Sequence, residues 1–333
     1  LSDILQRDAH VLSFVTIHPW AIAPEWLGPI ASVLARHAAG LAADENGIAA
    51  ALVKRRNLPQ PTGGGVAVIP VYGVIAPRAG MLTEMSGGTS FERLSEQLAQ
   101  AMSDPKVSTI VFDVDSPGGS VAGATEFFAQ VRTARATKPI IAHAQYTMAS
   151  AAYWFASAAT KVYASPSAMV GSVGVYTIHN DLSDALKALG VKRTYIAAGK
   201  YKAEGNETGP LSEDAHAHVK ATVSAAHQTF MRDIAAGRGV PIGDVRNGFG
   251  EGRLVTADDA LAGQMIDAIQ TLDTTIARAC AGETDATDRA ADALPAPPAP
   301  LADDTMQEPS PATIQDRRRA YDRQSAELAL LSL

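Results

Sequence analysis

An α/β fold with a mainly parallel sheet flanked by helices is predicted for this chain on three grounds. Continuous apolar runs at 66–73 and 107–114 have the character of strands covered on both faces. Helical periodicity separates such runs: Phe91, Leu94, Leu98 and Met102 share one face, and Ala124, Phe127, Phe128 and Val131 fall at i, i+3, i+4 and i+7. The two patterns alternate along the chain, which calls for crossover connections and parallel pairing.

Residues 1–60 read as a helical N-terminal extension, with Trp20, Ile22, Trp26, Leu27 and Ile30 ahead of apolar helices at 30–41 and 46–55. Pro59-Gln-Pro-Thr-Gly-Gly-Gly65 is a linker by composition. The main domain, 61–275, opens with a strand at 66–73. It continues through helix 90–102, strand 107–114, the helix around Phe127, strand 139–144, helix 149–159, strand 161–164, helix 181–189 and strand 193–197. A long helix spans 212–236, with Ser212 as N-cap and Gly237 or Gly239 as its stop. A closing unit, 252–269, holds a short strand and a helix. Residues 276–333 form a linker and tail. Pro295-Ala-Pro-Pro-Ala-Pro300 lies in an acidic, alanine-rich stretch that cannot build a core. Ile314, Tyr321, Leu328 and Leu331 allow a short amphipathic helix at the end.

Composition excludes several function classes. The 333 residues carry a formal net charge of −7, the wrong sign for a general nucleic-acid binder. The dense basic run Arg317–Arg318–Arg319 is a solvated helix face or a protein-docking site. Cys280 is the only cysteine, which fits a reducing, cytoplasmic compartment. No C-x-x-C or H-E-x-x-H spacing occurs, so neither a metal nor a cofactor is expected. No secretory signal or run of ~18–20 apolar residues is present, so no membrane anchor is expected. The first residue is Leu, consistent with a processed or trimmed start.

Three short stretches carry chemistry. Ser116-Pro-Gly-Gly-Ser120 follows a buried strand and is read as opening a helix, where glycine amides and the helix N-terminus could hold an oxyanion. Met148-Ala-Ser-Ala-Ala-Tyr-Trp154 puts Ser150 after a strand, at a helix start, among small neighbours that let a carbonyl approach. Gly199-Lys-Tyr-Lys-Ala-Glu-Gly205 offers Lys200 and Lys202. A lysine amine, ordinarily protonated up to about pH 10.4, is a general base only where burial strips its water. Taken singly, these stretches are equally a tight turn, a capping serine and a solvated lysine.

Their order and spacing decide more. S-P-G-G, then A-S-A-A-Y-W, then Gly171-Ser-Val-Gly-Val175, then G-K-Y-K, and finally Gly252-Arg-Leu-Val-Thr with Ala262-Gly-Gln-Met-Ile-Asp267, resemble the S49 (SppA-like) serine peptidase family over about 66–270. The resemblance implies a ClpP/crotonase-like fold, Ser150 as nucleophile, Lys202 as general base and Ser172 as the hydroxyl holding the lysine amine. It implies an oxyanion hole from Gly118 or Gly119 with the Ala151 N–H. The family's usual S-G-G is S-A-A here, which narrows the approach and keeps the nucleophile. His18-Pro-Trp-Ala-Ile-Ala-Pro-Glu25 and Lys202-Ala-Glu-Gly-Asn206 resemble the phage head-maturation proteases. That branch implies protein substrates (scaffold, portal or major capsid protein), self-cleavage in the tail, and a place in the host cytoplasm or procapsid interior. A homo-oligomer is also possible for this family.

Four rival readings stand beside it. A Ser–His–Asp triad would recruit His143, on a strand before Ser150, or His179, which follows a strand read through Gly171–Val175. A crotonase-type CoA enzyme would use the oxyanion amides without a serine nucleophile. A non-enzymatic assembly protein would dock through the tail. A host SppA-like degradative peptidase would share the chemistry but not the capsid role.

Overall fold

The computed structural model describes residues 19–23, 65–79 and 88–283. The tail after 283 and all of the N-terminal extension but 19–23 lie outside the described residues. Within 19–23 the expectation of helix is overturned: Trp20–Ile22 is a strand, β1, because its backbone has edges to pair with on both sides.

The central sheet is built as the apolar runs require. Strand β2 (Val66–Tyr72) pairs in parallel with β5 (Thr109–Ser116), and β5 pairs in parallel with β7 (Ile140–Ala149). Strand β5 is buried at seven of its eight positions, since both faces are covered. At its far edge β7 forks. Residues 141–144 pair with β8 (Lys161–Ala164), while 147–149 pair with β9 (Met169–Gly171), both in parallel. A register shift between Val114 and Ser116 on β5 accompanies the fork. The sheet is completed by β10 (Leu254–Thr256), antiparallel to β9, and β11 (Ala268–Ile269), parallel to β8. A second, four-stranded sheet has the order β1, β6 (Gly118–Ser120), β3 (Ile75–Ala76), β4 (Thr89–Ser90). The α/β class with a mainly parallel sheet flanked by helices is thus as the sequence predicts.

Helices α1 (Phe91–Ser103) and α2 (Ala124–Ala134) bury the stripes foreseen for them, and Ser90 caps α1 by accepting the Arg93 N–H. Short α3 (Ala151–Ala156) is wholly buried, so it has no polar face at all. Its Phe155 meets Phe127 and Phe112 edge-on, at centroid distances of 5.0 and 5.4 Å. Its Trp154 stacks on Phe230 of α5 (Glu213–Arg238) at 4.2 Å and donates from Nε1 to Asp233 at 2.8 Å. The helices thereby press α3, and the residue that heads it, against the sheet. Beyond α4 (Ser183–Ala188) and α5, helices α6 (Ile242–Gly248), α7 (Ala257–Ala262) and α8 (Leu272–Cys280) complete the described fold.

Three local expectations are corrected. Gly118–Ser120 is a strand and does not open a helix; α2 starts later, after Gly123. The expected strand at 193–197 is absent: those residues are exposed and pair with no strand among the described residues. The strand expected through Val175 ends at Gly171, where Ser172 turns to a left-handed φ of 52°.

Candidate active site

The site lies where β7 and β9 end together. Ala149 and Gly171 are register partners, and each strand delivers a serine at its next position. Ser150 has φ 53° and Ser172 φ 52°, a region that non-glycine residues enter only when their surroundings force them. The forcing is visible. The Ser150 N–H donates to Gly171 O at 2.7 Å, and the Ser172 N–H donates to Arg253 O at 2.8 Å. The turn at Ser150 leads directly into α3, so its hydroxyl stands at a strand-to-helix elbow. Among the described residues that hydroxyl is held only by Gly174 O, at 3.4 Å, the outer limit of a hydrogen bond. Among the described residues the Ser172 hydroxyl makes no hydrogen bond.

Gly118 is the third component. Its φ is 99°, and a Cβ there would stand 2.3 Å from Ala21 O and 2.9 Å from Ser150 Cβ. Only glycine fits between the nucleophile candidate and β1. The Gly118 N–H is taken by Ser116 Oγ at 3.2 Å, a hydroxyl that itself donates to Gly73 O at 2.6 Å. Gly119 stands in register with Ala21 on one side and Ile75 on the other. A Cβ there would strike Ile75 O at 1.9 Å. The Ala151 N–H, in the first turn of α3, has no acceptor among the described residues. A first-turn N–H without an intrahelical partner is the kind of donor an anionic oxygen can take.

Ser150, Ser172, Gly118, Gly119 and Ala151 are therefore brought together. Lys202 is not. It sits exposed on an arm, 176–211, which closes on itself through Leu182 N–H to Glu207 O at 2.8 Å and an Arg193–Glu207 ion pair at 2.9 Å. Among the described residues the Lys202 amine has no hydrogen-bond or ion-pair partner. Lys200 lies over the Tyr201 ring at 4.6 Å.

The two histidines of the rival triad are committed elsewhere. His143 is buried, with Nε2 3.1 Å from Ser165 Oγ and Nδ1 2.9 Å from Thr275 Oγ1, and burial holds its pKa down at about 4. His179 Nε2 lies 3.0 Å from Gly209 O, within the arm. His227 is the histidine beside the site that sequence reading missed. It lines a cavity of about 200 Å³ with Val173, Gly174, Met231, Arg246 and Glu251. Burial lowers its pKa, against a backbone hydrogen bond at Val173 that raises it. Its position on the helix stripe was the available signal, but a histidine among His216, His218 and His227 carries no marker of which one faces inward.

With this geometry in hand, the comparisons with known proteins are specific. Residues 132–285, from within α2 to beyond α8, match the model of Peptidase family S49. The chain is 35% identical over 178 residues to "Capsid assembly protease C" of Escherichia phage lambda, covering 54% of this chain and 40% of that protein. It is 32% identical over 178 residues to "Head-tail preconnector protein GP5" of Enterobacteria phage P21, covering 54% and 36%. It is 29% identical over 222 residues to "Protease 4" of Salmonella typhi, covering 66% and 35%. The chain thus spans less than half the length of each of these relatives.

Proposed function

We propose that this chain is a serine endopeptidase with Ser150 as nucleophile and Lys202 as general base, acting in capsid assembly. The observation that carries the chemistry is the Ser150 elbow: a strained, weakly held hydroxyl beside an unengaged Ala151 N–H. A neutral Lys202 amine takes the Ser150 proton as Oγ attacks the peptide carbonyl, and the Ala151 N–H holds the developing oxyanion. The lysine then gives its proton to the leaving amine. Water, deprotonated by the same amine, releases the acyl group. The Ser172 hydroxyl accepts from or donates to the amine and keeps it aimed.

For this to occur the arm must bring Lys202 to a Ser150, its own or that of a second copy. The arm's composition supports such docking. Leu189, Val191, Tyr195, Ile196 and Tyr201 are all exposed, and Ile196 is 98% so. An apolar surface of that kind favours burial against a partner, and burial is what a lysine base requires. The name of the lambda relative, a capsid assembly protease, supports a capsid-assembly role, and scaffold, portal or major capsid protein are the substrates we propose for it. The similarity to Protease 4 supports proteolysis as the chemistry. Among the described residues no helix is long and apolar enough to cross a membrane.

The test is co-expression with the neighbouring capsid proteins, using wild type, Ser150→Ala and Lys202→Met chains. Defined fragments are expected with wild type alone, and a fluorophosphonate probe is expected to label only chains that retain Ser150. Unaltered fragments with either variant would remove the dyad. Labelled Ser150 without capsid-protein fragments would leave the peptidase and remove the capsid role.

A further inference from the structure

The strand β1 belongs to the motif His18-Pro-Trp-Ala-Ile-Ala-Pro24, which the catalytic reading leaves unused. Its placement is specific. On one side it runs antiparallel to β6, with Ala21 opposite Gly119 and Ala23 N–H donating to Pro117 O at 2.8 Å. On the other side Trp20 N–H donates to Tyr176 O at 2.8 Å, and Tyr176 N–H donates back to Trp20 O at 3.1 Å. The segment is therefore a middle strand between the two stretches that frame Ser150: β6, and the chain leading out of Ser172. Ala21 O and Ser150 Cβ crowd the same point beside Gly118. Ser150 and Ala21 both have no exposed surface, and Trp20 and Ile22 are each only 1% exposed. Ser150 has no exposed surface in this state, and β1 is one of the elements that enclose it.

Any polypeptide entering this slot would be extended, antiparallel to β6, and bonded through its backbone, as strand addition requires. β1 meets that description itself. It is also short enough to leave. The strand has three residues, its flanking Pro19 and Pro24 carry no N–H, and its apolar anchors are two side chains.

We propose that residues 19–23 are a displaceable internal occupant of the substrate slot, and that an extended, small-and-apolar peptide segment takes their place on the β6 edge before Ser150 can act. This rests on the peptidase reading for its consequence, but the slot itself does not. Two full-length variants test it: Trp20→Ala, which removes the anchor, and Ala23→Pro, which removes a ladder donor. Fluorophosphonate labelling of Ser150 is expected to quicken by about tenfold, the gain when a competent state held to about a tenth of the population becomes dominant. A fluorescent peptide of sequence HPWAIAP is expected to bind saturably to Ser150→Ala chains carrying either change, and not to Ser150→Ala alone.

Folded variants that label no faster and capture no peptide would overturn the proposal. Peptide capture without any labelling would keep the slot and remove the peptidase chemistry. If both variants unfold, hydrogen exchange on the wild type decides. Ala23 and Val121 amides exchanging well ahead of those in β5 support a displaceable strand, and equal protection overturns it.

Discussion

Ser150 and Ser172 each hold a backbone conformation that costs of order 1–3 kcal/mol outside glycine. Two such residues at adjacent strand ends mark the place where the fold spends stability on geometry. Gly118 shows the same economy from the other side. Gly118→Ala puts a methyl where Ser150 Cβ and Ala21 O already meet, at a φ that L residues avoid. It is expected to abolish probe labelling and, because the overlaps are with backbone oxygens, to lower the thermal midpoint as well. An unchanged labelling rate would show that the contact is slack. His143 governs a different property. Its folded pKa of about 4 lies below the ordinary ~6.5 of histidine, so the unfolded chain binds the proton first as pH falls. Stability is full above ~6.5 and drains as pH drops towards 4, by up to about 3 kcal/mol. His227 acts in the same sense; Asp113 and Asp233, raised chiefly by burial, act in the opposite one. Comparing urea midpoints at pH 7.5 and 5 for wild type and His143→Gln isolates the histidine: the variant is expected to show the smaller drop.

Helix α5 is tied to the sheet through its last residue. Arg238 donates to both carboxylate oxygens of Asp267, at 2.9 and 3.1 Å, and from Nε to Gln264 O, while Asp267 also accepts the Val162 N–H at 2.7 Å. The Arg238 side chain is 3% exposed, so Asp267→Ala strands a buried cation. A loss of about 3–5 kcal/mol is expected by urea unfolding. Pairing it with Arg238→Met is expected to recover much of that loss. At this scale the sequence was legible wherever packing and periodicity agree. The stripes of Phe91, Leu94 and Leu98, and of Phe127 and Val131, face the core as read, and so does the run through Val111. It was not legible where an element owes its form to a distant partner. Gly118–Ser120 has no strand-forming side chains and pairs only because β1 and β3 flank it. Trp20–Ile22 is equally a helix or a strand until its neighbours are known. Residues 193–197 have strand composition without a neighbour. Helix α8, unread in the sequence, is capped by Thr271 and held by Thr275 against His143, a contact that links positions 132 apart.

Over the whole molecule, the site residues divide into a set assembled within the fold and one left on the arm. The placement of Ser150 at a strand end, heading a helix, was readable from motif and spacing, and Ser172 follows a strand end in the same way. The location of Lys202 was not, because an arm bonded mainly to itself takes its place from whatever it docks against. If the base arrives from a second copy, labelling of Ser150 is expected to rise steeply with protein concentration, in step with oligomer measured by ultracentrifugation. Mixing Ser150→Ala with Lys202→Met chains is then expected to restore cleavage that neither has alone. A concentration-independent rate with no rescue on mixing would place the base in the same chain.

Trp20 lies on the short strand β1 and Trp154 on the helix that Ser150 heads. The second is sandwiched against Phe230 and bonded to Asp233, so its surroundings change only when the core itself opens. The first meets water as soon as its strand lifts. The molecule thus has a built-in pair of optical gauges: a red-shifted emission component lost in Trp20→Phe tracks opening of β1 beside Ser150, and the Trp154 component tracks collapse of the domain.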